Sequence, residues 1–223
     1  QSGFHEIIDP ETGNMRISLE LFNYKVRGSL DLDLSLTYSL SEARSKKHSF
    51  EYRVISCANV NEPFSPVELA QRNIAIGWSY NFPFVQKVGS VRYLNLPDVR
   101  TYRVDSSTES GLQDYELTDL VFKSGSYEQV GTLFGAYKLC YVDGTEYLFA
   151  ENGLLIKKSD RYGNWIKYLW DTSENSIRLS KICDCTGREI LFKYNGLVTS
   201  IVSGDRSYSF HKQAVSNEDT VGI

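Results

Sequence analysis

From Leu139 to Phe210 the chain alternates short apolar and aromatic runs with glycine corners at nearly regular intervals. The runs are Glu146-Tyr147-Leu148-Phe149, Leu154-Leu155-Ile156, Trp165 to Trp170, Ile190 to Tyr194 and Leu197 to Val202. The corners are Asp143-Gly144, Asn152-Gly153, Gly163-Asn164, Thr186-Gly187, Asn195-Gly196 and Gly204-Asp205. Turn signals spaced roughly 8–12 residues apart, with β-branched and aromatic runs between them, predict serial hairpins. Asp-Gly and Asn-Gly suit type I′ corners, so Gly144, Gly153 and Gly196 are expected at positive φ. Side chains two apart in a strand share a face, which pairs Tyr147 with Phe149 and Phe192 with Tyr194. One hairpin cannot bury such an aromatic face alone; hairpins laid side by side can. Residues 134–211 therefore read as an antiparallel meander, a twisted sheet or part of a β-shell.

The upstream pattern is also β. Met15, Ile17, Leu19 and Leu21 alternate with Arg16, Ser18, Glu20 and Phe22. Leu30, Leu32, Leu34, Leu36 and Tyr38 alternate with Asp31, Asp33, Ser35 and Thr37, the mark of a half-buried strand. With Arg27-Gly28-Ser29 between them, these strands form the first hairpin. Residues 1–14 form a lead-in that ends in a tight corner at Asp9-Pro10-Glu11-Thr12-Gly13-Asn14. A strand is expected over 50–57. Ser65-Pro66-Val67-Glu68 is a capping box with proline at the first helical position, so 66–72 is the single helix predicted. Strand runs follow at 74–82, 84–88, 91–96 and 100–105. Polar stretches at 106–114 and 123–131 read as loops. Residues 15–133 make up an N-terminal β region, and 212–223 form a polar tail expected to fray.

Composition narrows the functional classes. The 223 residues suffice to bury a core without staples. A formal net charge of −4 gives no electrostatic footprint for nucleic acid. No run reaches the roughly 18 apolar residues of a membrane span, and no signal peptide opens the chain. The start at Gln1-Ser2-Gly3 suggests a fragment of a longer protein. Cys57, Cys140, Cys183 and Cys185 have the spacing of plain small hydrophobes; a disulfide or a metal pair is the alternative.

Few residues suggest chemistry. Asp31 and Asp33 share a strand face, where they could hold a metal or exchange protons; the preferred reading is a solvated outer face, because Ser35 and Thr37 continue it. Asp143, Asp160, Asp184 and Asp205 sit near turns, where such side chains bind calcium or bond their own backbone. His5, His48 and His211 are scattered, and no nucleophile elbow, zinc-protease helix or phosphate loop occurs. Trp78, Trp165 and Trp170 could form a sugar-stacking platform or pack into the sheet. No catalytic residue, metal or cofactor is assigned.

The order of motifs carries a resemblance. Asp9-Pro10-Glu11-Thr12-Gly13 is followed by Ile76-Gly77-Trp78 and by Tyr141 to Phe149. Asp160-Arg161-Tyr162-Gly163-Asn164-Trp165-Ile166-Lys167-Tyr168 and Ile182-Cys183-Asp184-Cys185-Thr186-Gly187-Arg188-Glu189-Ile190 come next. Over roughly residues 9–210 this resembles the N-terminal part of bacterial RHS proteins, whose tyrosine–aspartate repeats also occur in teneurins and Tc toxin C components. The chain departs from that pattern at Trp170-Asp171, where Tyr-Asp is expected. The resemblance implies a non-enzymatic, encapsulating segment of a secreted or cell-surface bacterial protein, partnered by the rest of its own longer chain. The repeat positions would be Asp143, Gly144, Tyr147, Phe149, Asp160, Gly163, Asn164, Tyr168, Asp184, Gly187, Arg188, Phe192, Tyr194 and Gly196. The alternative is a carbohydrate-binding or adhesion module that displays its tryptophans to cell-surface glycans.

Overall fold

The computed structural model describes residues 4–8, 15–40, 70, 73–75, 77–97, 100–172 and 177–211. They form three antiparallel sheets. The first contains β1 (Phe4–Ile8), β2 (Met15–Lys25), β3 (Asp31–Ser39) and β4 (Trp78–Tyr80), in that order. The second contains β5 (Phe84–Val88), β6 (Val91–Asn95) and β7 (Thr101–Arg103). The third has ten strands. It starts with β8 (Leu120–Ser124) and β9 (Gln129–Val130), then runs through β10 (Leu133–Tyr141), β11 (Glu146–Ala150), β12 (Leu155–Ser159) and β13 (Trp165–Asp171). It ends with β14 (Arg178–Asp184), β15 (Glu189–Asn195), β16 (Leu197–Ser203) and β17 (Arg206–Ser209). From β10 to β17 each strand pairs with its neighbours in sequence, while β8 and β9 pair with β10. The fold is thus the predicted meander of serial hairpins, open and not closed into a barrel.

The turns between these strands differ in type from the predicted I′ corners. Gly144, Gly153 and Gly196 do have positive φ, at 85°, 87° and 73°. Type I′ also requires positive φ at the preceding Asp or Asn, and among the described non-glycine residues only Asp114 has it. Instead, four turns repeat one three-residue loop. The N–H of residue i donates to the carbonyl of i+4, and the N–H of the glycine at i+3 donates back to the carbonyl of i. This holds for i at Tyr141, Ala150, Asp160 and Asp184. The bonds and the single positive φ are those of a type I turn closed by a glycine bulge.

The first sheet lies against the ten-stranded one. Phe22 meets Tyr208 edge-on at 5.2 Å, Tyr80 meets Phe192 at 5.8 Å and Phe82 meets Tyr168 at 4.9 Å. The Tyr208 hydroxyl donates to the Leu21 carbonyl across the same boundary. A bulge between Glu20 and Phe22 breaks the expected alternation, so Leu21 and Phe22 are both buried. The second sheet packs across one end of the meander, where the Val85 N–H donates to the Gly153 carbonyl at 2.9 Å.

Other expectations change in detail. The lead-in contains a strand, β1, because β2 is long enough to pair outward as well as with β3. Among the described residues of the run at 74–82, only Trp78–Tyr80 forms a strand. The stretch 106–114 is not a free surface loop: Leu112 is wholly buried and bridges to Val104, while Ser110 accepts the Phe122 N–H. The corner at 9–14, the strand at 50–57 and the frayed tail lie outside the described residues. So does the helix at 66–72 except Ala70, which is helical and buried.

Candidate functional site

Antiparallel alternation places the β10–β11, β12–β13 and β14–β15 turns at the same end of the sheet. Their aspartates are held by their own loops. The Asp160 Oδ1 accepts the N–H groups of Tyr162 and Asn164 at 2.9 and 3.0 Å, and Oδ2 accepts the Asn164 side-chain amide at 2.8 Å. Asp184 repeats the scheme: Oδ1 accepts the N–H and hydroxyl of Thr186 at 2.8 and 2.6 Å and the N–H of Arg188 at 3.2 Å. Asp143 stands inside its loop and caps the Thr145 N–H at 2.8 Å. The side-chain amide bond accounts for the Asn164 that follows Asp-x-x-Gly at 160–163. The carboxylate bonds together decide between the two readings of the turn aspartates in favour of self-capping at these three positions.

The β2–β3 turn docks onto this row. A Cβ at Gly28 would overlap the Asp160 carboxylate, and the Ser29 N–H bonds to that carboxylate. The Arg188 guanidinium lies 4.3 Å from the Tyr24 ring centroid and donates to the Lys25 carbonyl at 3.3 Å. It also stands 3.7 Å from the fully buried Asp184 Oδ2. The repeated turn thus couples the first sheet to the third. Nothing in the sequence marks Tyr24 and Gly28 as its partners, because they lie more than a hundred residues away.

Burial works against ionisation of Asp160, but the bonds from Asn164, Tyr162 and Ser29 outweigh it and hold the carboxyl below the usual carboxylate range. A carboxyl whose folded pKa is depressed stabilises the fold above its unfolded pKa, about 3.9, and that stability is lost as pH falls through the folded value. Denaturant melts from pH 7 to pH 3 are expected to show Asp160→Asn losing less stability than the wild type in the acid range, since it has no proton to take up there. Parallel pH profiles for the two proteins would contradict this.

Asp31 and Asp33 are placed less simply than a solvated face. Asp31 pairs with Lys25 at 2.5 Å. Asp33 is exposed and accepts bonds from the Ser35 hydroxyl and the Asn81 amide at 2.9 and 3.0 Å. Partial desolvation by the atoms around its carboxylate and the charge of Glu20 raise its pKa against those bonds. Lys158 reaches the same edge of β3 from β12, with Nζ 3.5 Å from the Asp31 carbonyl and 5.5 Å from the Tyr147 ring centroid. Burial lowers its pKa, opposed by Asp31, Asp33 and Asp143. Lys158 carries no motif, so the sequence offers no signal for it.

The tryptophans are not brought together. Trp170 is buried on the inner face, its indole N–H donating to the Leu155 carbonyl at 2.8 Å. Trp165 lies on the opposite face of β13, half-exposed under the Lys167 ammonium. Trp78 belongs to the first sheet and packs against Tyr38. Phe192 and Tyr194 meet Tyr80 of the first sheet, Tyr194 through its hydroxyl at 3.5 Å, and Tyr168 meets Phe82 just after it. Phe149 is fully buried, and Tyr147 is half-buried beside Tyr141. Cys140, Cys183 and Cys185 are free thiols, and burial raises the pKa of the first two. Among the described residues no three His, Cys, Asp or Glu side chains converge on a metal position. No helix of the described residues is long and apolar enough to cross a membrane. No protein-family model and no curated protein matches this chain.

Proposed function

We propose that this chain is a non-enzymatic structural segment, a stretch of β-wall from a larger RHS-type protein of a bacterial surface or secretion system. One observation carries the reading: the same aspartate–glycine turn recurs at one end of a serial ten-strand meander and clamps the N-terminal sheet across it. The Asp143, Asp160 and Asp184 carboxylates each bond N–H groups of their own loop, which suits a supporting role. The partner in this reading is the rest of the longer chain, continuing or enclosed by the wall.

The rival reading, an aromatic glycan platform, needs a row of exposed rings, whereas Trp170 is buried and Trp165 faces the other way. Trp170→Phe leaves a smaller ring and loses the bond to Leu155, so it is expected to lower stability by about 1–3 kcal/mol. Binding on an array of neutral glycans should stay at background for wild type and variant alike. Array binding that Trp165→Ala abolishes at unchanged melting temperature would replace the wall with a glycan-binding module.

A further inference from the structure

Three corners of the ten-stranded sheet join an Asp or Asn to a glycine: Asp143-Gly144, Asn152-Gly153 and Asn195-Gly196. Such a pair is open to one intramolecular reaction. The backbone nitrogen of the glycine attacks the side-chain carbonyl carbon of the residue before it, and a cyclic imide closes. Glycine favours the step because it has no side chain to crowd the ring and its backbone turns freely. The fold decides whether the reaction can start. The glycine N–H must be free of a hydrogen bond, and the side chain before it must be free to turn onto it.

The first two corners meet neither condition. The Gly144 N–H donates to the Tyr141 carbonyl at 3.0 Å, and the Gly153 N–H to the Ala150 carbonyl at 2.8 Å. The side chains before them are engaged as well. Asp143 Oδ1 accepts the Thr145 N–H at 2.8 Å, and Asn152 Oδ1 accepts the Leu154 N–H at 3.3 Å. The three-residue loop thus protects its own Asp-Gly or Asn-Gly pair. The third corner is built differently. Asn195 pairs with Leu197 across Gly196 alone, which has φ of 73°. Asn195 and Gly196 are both exposed. Neither the Gly196 N–H nor the Asn195 side chain is held by a hydrogen bond.

We infer that Asn195 is a site of spontaneous covalent modification, where the folded protein deamidates while Asn152 is kept intact. The Gly196 nitrogen bonds to the Asn195 Cγ, and its proton leaves with the side-chain amide nitrogen as ammonia. Water then opens the imide at either of its two carbonyls. One opening leaves aspartate at 195. The other leaves isoaspartate, whose main chain runs through the former side chain and is longer by a methylene. Both products add a negative charge. The corner stands between Tyr194, whose hydroxyl donates to the Leu179 carbonyl at 2.8 Å, and Val198, whose N–H donates to the Asn73 carbonyl at 2.8 Å. The longer main chain therefore falls between two contacts that seat β15 and β16. The inference does not rest on the wall reading; any protein with this corner would carry the site.

Peptide mapping by mass spectrometry, after incubation of the chain in mildly alkaline buffer, tests it. The peptide containing Asn195 is expected to gain the mass difference between an amide and a carboxyl group, with isoaspartate among the products. The peptide containing Asn152 should lag by about tenfold or more, because two hydrogen bonds must open before its imide can close. In concentrated urea the two Asn-Gly pairs should react at similar rates, since the protection comes from the fold. Asn195→Gln would have to close a larger ring, so it should stop the early appearance of acidic species. Its melting temperature should match the wild type, because the side chain is exposed and bonds nothing. An Asn195 that stays intact in the folded chain overturns the proposal, as does an Asn152 that reacts as fast. A rate difference that persists in urea also overturns it, because the sequence and not the fold would then set the order.

Discussion

Phe22→Ala is expected to lower the unfolding free energy by about 3–5 kcal/mol, most of what holds a marginal domain together. Phe22 is fully buried at the boundary between two sheets, stacked on Tyr24 at 5.7 Å and edge-on to Tyr208 at 5.2 Å. Truncation removes the transfer energy of the ring and leaves a cavity that two rigid sheets cannot collapse to fill. The size of the effect depends on burial, so Phe134→Ala is the control. Phe134 is 64% exposed, and its loss should change stability by less than about 0.5 kcal/mol. Urea melts of the two variants would measure both. A Phe22→Ala protein as stable as the wild type would mean that the first sheet does not pack on the third as described.

Gly153→Ala should be nearly as damaging, and for two separable reasons. The residue has φ of 87°, a conformation that costs a residue with a Cβ roughly 1–3 kcal/mol. In addition, the new Cβ would overlap the Val85 carbonyl oxygen, a backbone atom that cannot rotate away. Overpacking of that kind adds about 1–3 kcal/mol. Gly187 separates the two contributions: it has the same φ of 87° in the same kind of turn, and a Cβ there meets nothing within 4 Å. Gly187→Ala should therefore show the conformational cost alone. If the two alanine variants melt together, the second sheet is not seated on the β11–β12 turn.

The candidate site shows where pattern reading stops. Asp160 and Asp184 are visible as turn formers because their partners are two and four residues away. The partners that turn this row into a clamp, Gly28 and Tyr24, are paired with it only by the packing of two sheets. The cross-strand row of Lys123, Lys138, Lys157 and Lys167 is a different case. Each lysine is an ordinary polar residue on its own strand, and the row exists only in the cross-strand register. A bulge such as the one between Leu148 and Phe149 shifts that register without any signal in the local alternation.

The class of fold, the serial order of the hairpins and the glycine corners follow from the sequence alone, because each depends on interactions within a few residues. Period-two burial chooses strand over helix, and only glycine sits comfortably at the positive φ that closes each loop. The turn type was decided by the two backbone hydrogen bonds that tie residue i to residues i+3 and i+4, made alike with Asp160 or Asp184 at i and with Tyr141 or Ala150 there. The opposite destinations of Trp165 and Trp170 were decided by which face of β13 meets the first sheet. Contacts such as Tyr80 with Phe192, or Val85 with Gly153, join residues far apart in the chain. Nothing local specifies them, because such contacts bring no gain until the loops between them have closed.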